Sequence, residues 1–322
     1  MIDLPAWGLG AAALGNLFSS VPDETARATV DACWEAGVRY VDTAPHYGVG
    51  LSEERVGAAL RERPRGEFVL QTKVGRLLVP GPGTGRDTEG FDVPDRRVRV
   101  WDFSATGVRR SVEESLQRLG LDRVDVALVH DPDDHLDDAR AGAFPELLRM
   151  REEGLVRAVG AGMNETAPLI GFVEEFDLDV VLVAGRYHLL DASAADGLFP
   201  AAQRAGTAVV LGGVFASGLL AHAEPPADAT YRYAQTPPDL LDRARRTAAL
   251  AREHGTTLPA LAVHAARAHP AVASVLLGMR SPQEVRHNAA LLAQEVPGTV
   301  WAALRSADLL PAGLLAPGEG PS

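Results

Sequence analysis

The chain has 322 residues, 46% apolar and 23% charged, enough to bury a large core; a formal net charge of −12 argues against nucleic acid or an anionic membrane as partner, since either needs a basic face. Cys33 is the only cysteine, which excludes an intrachain disulfide and a cysteine-rich zinc site and suits a reducing cytoplasm. Length alone suggests roughly two domains, but an α/β barrel takes about 250 residues as one domain and tolerates long loops.

The N-terminus has no basic start followed by a long apolar run, and no stretch of about 20 apolar residues occurs, so the chain reads as soluble and unexported. Short β-branched runs then alternate with longer helix-period segments, the pattern of repeated βα units. A weak first strand at Trp7 to Leu9 precedes a helix that opens at Asp23-Glu24 and stops at Gly37. Strand Val38 to Asp42 runs into Thr43-Ala-Pro-His-Tyr47, and Ser52-Glu53-Glu54 opens the next helix. Strand Phe68 to Lys73 follows. Residues 79–102 are too long and too rich in Gly, Pro, Asp and Arg for a tight connection, so they are expected to form a loop over the barrel mouth.

Ser104 begins a helix that ends at Gly120, with Val108, Val112, Leu116 and Leu119 on one face. Arg109, Arg110, Arg118 and Arg123 read as its solvated surface, paired with Glu113 and Glu114. Strands follow at Val124 to His130, Val156 to Ala161, Val180 to Val183, Ala208 to Leu211 and Ala273 to Leu277. The helices between and after them are Phe144 to Glu153, Ala167 to Glu175, Ala194 to Ala205, Asp239 to His254 and Pro282 to Gln294. A second Pro-rich loop spans 221–238, and the tail 311–322 is expected to be free. Eight strands interleaved with eight helices give a single (β/α)8 TIM barrel over 1–322, with long loops at the C-terminal face of the strands. No sustained apolar heptad announces a dimer, and the assembly state stays open.

Three strand ends carry proton-handling groups: Asp42 with nearby Tyr47, Lys73, and His130. A strand-end side chain faces the open mouth of a parallel barrel. A phenol, with pKa about 10, is a poor acid or base at neutral pH unless a cation stands near it. Lys73 is such a cation, and Asp42 an anion to keep it charged in a dry mouth. His130 is placed to donate a hydrogen bond to a substrate oxygen. Neither a G-x-S-x-G elbow nor a carboxylate pair supplies a nucleophile, which leaves hydride transfer from a bound cofactor. His46 reads as a loop residue. The acidic run from His130 to His135 lacks the spacing of a strong zinc motif, and no metal is expected.

In these segments the chain resembles the aldo-keto reductase superfamily: YVDTAPHYGVGLSEERVGAAL (residues 40–60) is similar to the signature holding its catalytic Asp and Tyr, LQTKVG (70–75) to its lysine segment and DVALVHDPD (125–133) to its histidine segment. The blocks 100–133, GAGMN (160–164) and LGGVFASGLL (211–220) resemble the branch of L-fucose (D-threo-aldose) 1-dehydrogenases and pyridoxal 4-dehydrogenases. The resemblance implies Tyr47 as general acid in reduction, or base in oxidation, supported by Lys73, Asp42 and His130. It implies Asn164 on the nicotinamide carboxamide, with Met163 and Ala184 departing from the family's usual Ser and Gln. Gly212, where an aromatic commonly stacks on the ring, Gly213, Phe215, Ser217 and Leu219 correspond to the pyrophosphate loop. Gly278, Arg280, Glu284 and Asn288 fall in the adenosine segment.

NADP-preferring relatives usually place lysine at Gly278 and arginine at Glu284; a carboxylate suits a ribose 2′-OH and repels a 2′-phosphate, so NAD is the expected cofactor over NADP, with Arg280 the one residue that opposes this. Phe18, Trp101 and Arg186 are candidate substrate contacts by loop position, beside Phe103, which packing explains as well. The implied activity interconverts an alcohol or sugar hemiacetal with a carbonyl or lactone, most simply as an aldose 1-dehydrogenase. The alternatives are a carbonyl reductase of a specialised biosynthetic pathway and a nucleotide-binding, redox-sensing regulatory subunit.

Overall fold

Strand alternation divides the apolar residues of this chain into an inner and an outer set. In the computed structural model, which describes residues 2–232 and 234–320, the strands Trp7–Gly10, Tyr40–Asp42, Val69–Val74, Val126–His130, Ala158–Met163, Val180–Ala184, Ala208–Gly212 and Val272–Gly278 close into one parallel barrel. Numbered along the chain, their order around it is 1-8-7-6-5-4-3-2. Tyr40, Val126, Leu128, Val180, Leu182 and Val210 fill the interior as a cluster of their own. Their neighbours Val41, Ala127, Val129, Val181, Val183 and Val209 pack outward under the helices. This period of two aims Asp42, two residues after Tyr40, and His130, two after Leu128, into the mouth.

The expected helix ends hold where local chemistry sets them. Ser104 caps Ala105–Leu119 by accepting from Gly107 N at 3.1 Å, and Gly120 closes it at φ 62°. Two further helices escaped the periodicity. Leu258–Ala266 is buried on almost every side, so it has no polar face to mark it, and it packs between Pro238–Glu253 and Pro282–Ala293. Gly298–Ser306 lies against Pro238–Glu253.

Both long loops contain β-structure. Arg76–Pro80 pairs antiparallel with Arg97–Trp101, so the segment expected as a loop over 79–102 is the outer part of a hairpin. Its Phe91 and Val93 pack with Val49 and Leu78 in a small core separate from the barrel's. Within 221–238, Thr230–Tyr231 pairs with Ala234–Gln235, and a helix begins at Pro238. The tail is anchored as far as it is described: Leu314 and Ala316 are buried, and Leu315 N donates to the Tyr187 hydroxyl at 3.1 Å. Residues 321 and 322, the end of the tail expected to be free, lie outside the described residues.

Candidate active site

Tyr47 sits in a turn where two backbones cross without side chains between them. A Cβ on Gly15 would lie 2.6 Å from the Tyr47 carbonyl carbon, and one on Gly48 would strike the Gly15 carbonyl. Gly48 also has φ 63°, so glycine is required there twice over. From above, Arg99 of the hairpin donates to the His46 carbonyl at 2.8 Å and pairs with Asp87 in a buried clasp.

Inside the mouth, Lys73 Nζ donates to Asp42 Oδ1 at 2.6 Å, to the Thr43 carbonyl at 3.0 Å and to the Tyr47 hydroxyl at 3.0 Å. These three bonds use all its donors. The lysine and aspartate side chains are only 2% and 5% exposed, so the pair works in low dielectric and needs every remaining lone pair satisfied. Gln71 meets part of that need. Register makes it the Cα partner of Asp42, and its Nε2 donates to the same Oδ1 at 2.7 Å while its Oε1 accepts from Tyr40 at 2.7 Å. Burial, helped by Asp42, pushes the Tyr40 phenol well up, so it stays a donor.

His130 closes the group from the fourth strand, its ring edge-on to Tyr47 with centroids 5.8 Å apart. Burial holds it far below the usual histidine range, and Arg76, Lys73, His46 and Arg99 push the same way. Its Nδ1 lies 2.9 Å from Arg76 Nη1, and its Nε2 is 3.4 Å from Asp131 Oδ2. His46 is also at the mouth, 5.6 Å from the His130 ring and 5.1 Å from Phe91. Asp131, the carboxylate of the acidic run nearest the mouth, pairs with Arg76 at 3.3 Å.

The segments read as cofactor-binding lie on the adjoining arc of the rim. Asn164 follows strand 5, Gly212 ends strand 7 and Gly278 ends strand 8, whereas Asp42, Lys73 and His130 come from strands 2, 3 and 4. After Gly212 the chain steps from Phe215 at φ −89°, ψ 11° to Ala216 at φ 49° and Ser217 at φ 58°; a step from negative to positive φ forms a concavity that suits an anion. Leu219 is fully buried, and Phe215 packs on the core. Their side chains hold the loop, leaving its backbone and the exposed Ser217 to serve a ligand.

Glu284 has a local duty that the sequence reading left out. Ser281 caps Pro282–Ala293 by accepting from Glu284 N at 3.2 Å, and Glu284 Oε2 accepts from Arg280 N at 3.0 Å, in the manner of a capping box. The Arg280 guanidinium reaches the Ser19 carbonyl at 2.8 Å, and Asn288 is buried in the same helix.

Of the substrate candidates, Phe18 is 65% and Trp101 43% exposed, whereas Phe103 is buried and stacks on Trp101 at 5.6 Å. Trp101 also lies under the Arg76 guanidinium, 4.3 Å away. Arg186 is buried and paired with Glu165, the residue after Asn164. Arg118 is not the surface residue its helix face suggests: it donates to the fully buried Glu53 at 2.6 Å, while Arg109 reaches Glu146 and Glu153.

A parallel barrel whose mouth joins a phenol, an ammonium, a carboxylate and an imidazole is fitted to be an oxidoreductase for CH–OH and carbonyl groups. The chain belongs to the aldo/keto reductase family, whose model matches residues 6–309. A D-threo-aldose 1-dehydrogenase of a Pseudomonas species is 48% identical over 96% of this chain and 95% of its own. A pyridoxal 4-dehydrogenase of Microbacterium luteolum is 37% identical over 96% and 95%. Among solved structures, the holo form of an aldo-keto reductase from Bacillus halodurans superposes with a TM-score of 0.74 at 26% identity, covering 97% of this chain and 94% of that one. The family uses a nicotinamide cofactor.

Gln71, Tyr40, Arg76 and Arg99 were missed by the sequence reading, and Asp131 entered it only as part of the acidic run from His130 to His135. Arg76 carried the one available signal, standing three residues past Lys73 on the edge of the same loop.

Proposed function

We propose that the chain is a sugar (aldose) 1-dehydrogenase that prefers NAD, in which Tyr47 moves the proton. What carries this reading is the 3.0 Å contact between Lys73 Nζ and the Tyr47 hydroxyl, the lysine itself held on Asp42. A nicotinamide cofactor held at this rim would supply the hydride chemistry. Tyr47 takes the hydroxyl proton in oxidation and returns it in reduction, with the Lys73 ammonium stabilising charge on the phenolic oxygen. His130 donates from Nε2 to the substrate oxygen and fixes its approach. Asn164 serves the carboxamide, and the backbone from Gly212 through Ser217 serves the pyrophosphate. Gly278, Arg280, Glu284 and Asn288 would hold the adenosine, Glu284 Oε1 being the group that would favour a ribose 2′-OH.

The names of the two relatives support sugar and pyridoxal as substrate classes, and Trp101 and Phe18, both exposed, are the aromatic side chains offered for contact with such a ring. Arg186, buried and paired with Glu165 beside Asn164, is kept as a polar substrate contact from the end of strand 6. A single buried cysteine, its thiol pushed up to about 12 by burial, accords with a cytoplasmic enzyme. No described helix is long and apolar enough to cross a membrane.

The test follows reduced-nicotinamide absorbance with a panel of aldoses, pyridoxal and aromatic aldehydes, each with NAD and NADP. Turnover of aldoses that falls at least about a hundredfold in Tyr47→Phe supports the reading. Tight cofactor binding without turnover of any aldose would sink it.

A further inference from the structure

We propose that Arg76 is a positioning residue that holds His130 as a neutral ring with its single N–H on Nε2. This rests on the reading of His130 as the donor to the substrate oxygen. A guanidinium has five N–H donors and no acceptor, so the 2.9 Å contact with His130 Nδ1 can be a hydrogen bond only if Nδ1 carries no proton. In a neutral imidazole the proton then sits on Nε2, which lies 3.4 Å from Asp131 Oδ2 and is the only ring nitrogen still able to donate to a substrate. The structure thus decides chemically which ring nitrogen is the donor, and the deciding group is a residue outside the tetrad.

Arg76 is itself clamped. Its Nη2 lies 3.3 Å from Asp131 Oδ2, its plane lies over Trp101, and 8% of the residue is exposed. Asp131 reaches it from a left-handed backbone step, φ 40°, that aspartate tolerates better than most residues, with its own N–H held by the Gly162 carbonyl at 3.0 Å. The groups facing His130 are Arg76, Lys73, His46 and Arg99, all of which disfavour a second proton, with Asp131 opposing them and Tyr47 edge-on. Arg76 is the one that also fixes the ring's orientation through a bond.

The experiment is nitrogen-15 NMR of histidine-labelled full-length protein, with the His130 signals assigned by His130→Asn. The expected wild-type pattern is an unprotonated Nδ1 and a protonated Nε2, unchanged between about pH 5 and pH 8. In Arg76→Met part of the proton should move from Nε2 to Nδ1, and kcat should fall roughly ten- to hundredfold. Arg76→Lys, which again has donors and no acceptor, should restore much of the pattern, and Asp131→Asn should leave it as in the wild type. A proton on Nδ1 in the wild type, a pattern unmoved by Arg76→Met, or one altered by Asp131→Asn overturns the proposal. Should Arg76→Met fail to fold, the wild-type pattern and Asp131→Asn decide. An active Tyr47→Phe would sink the catalytic reading while leaving these nitrogen signals where they are, so the two failures are distinguishable.

Discussion

Gln71 Nε2 lies 2.7 Å from Asp42 Oδ1, the oxygen that also receives Lys73 Nζ. One carboxylate oxygen therefore serves both an ammonium and an amide, and the amide is oriented by the buried Tyr40 hydroxyl. Replacing the amide with an isobutyl group leaves that hydroxyl without its acceptor and thins the cage around Asp42. Gln71→Leu should lower stability by about 1–3 kcal/mol, the cost of unsatisfied buried polar groups. It should lower kcat less than Tyr47→Phe does, since Lys73 keeps its three bonds. Urea unfolding and steady-state kinetics on the two variants check both halves, and an unchanged urea midpoint would mean the network is dispensable.

The tetrad was legible because each member stands at or just beyond a strand end, where residue type alone is unusual. Gln71 was not, because a glutamine in mid-strand carries no local signal and only the register between strands 2 and 3 sets it against Asp42. Arg118 misled for the same reason: its i−4 neighbour Glu114 is visible in sequence, but the buried Glu53 that takes it lies on another helix. The hairpin over the mouth was hidden by its Gly- and Pro-rich tip, although Arg76 to Val79 and Val98 to Trp101 read as short strands once their pairing is known. Helix Leu258–Ala266 was missed through uniform burial, which erases the polar face that periodicity needs.

Buried histidines give the fold an acid-sensitive term whose sign follows from their depressed values. His46 is held at about 2 and His188 at about 4, in both cases mainly by burial; for His46 the cations Arg76, Arg99 and Lys73 add to this, and the half-exposed Glu89, 3.7 Å away, opposes only weakly. Below the unfolded value near 6.5 the unfolded chain binds protons that the folded chain refuses. Stability is therefore complete above that value and declines as pH falls, until about 4 for His188 and about 2 for His46. Each contributes up to about 1.4 kcal/mol per pH unit within its window. Unfolding in urea between about pH 7 and pH 5, where carboxylates contribute little, should show the decline, and His188→Asn should make it shallower by one histidine's share, leaving that of His46 and His130.

Cofactor choice and helix capping meet in Glu284, and they can be separated. Glu284→Gln keeps an oxygen for Arg280 N, so the first turn of Pro282–Ala293 should stay capped while the negative charge is removed. The kcat/KM ratio of NADP to NAD should then rise about tenfold with little change in unfolding midpoint, because repulsion of a 2′-phosphate is lost. Glu284→Ala removes both functions and should also cost about 1 kcal/mol, the usual worth of a cap. A wild-type enzyme that already favours NADP would show that the Arg280 guanidinium, not this carboxylate, governs the choice.

The hairpin over the mouth is held by Arg99, whose partners Asp87 and the His46 carbonyl tie it to the turn that carries Tyr47. Both side chains of the ion pair are about as buried as those of Lys73 and Asp42, so Asp87→Asn leaves a guanidinium with only Glu89, 3.4 Å away and half exposed, to balance it. The loss should stay local, because Val49, Leu78, Phe91 and Val93 form a core apart from the barrel's. Opening of the hairpin should become easier by about 1–3 kcal/mol, less than for a buried pair with no second carboxylate. Protease cleavage between residues 81 and 96 should accelerate and KM for the carbonyl substrate should rise, while the global urea midpoint moves little. An unchanged cleavage rate with a lowered global midpoint would place the clasp in the barrel's own stability and remove it from control of the mouth.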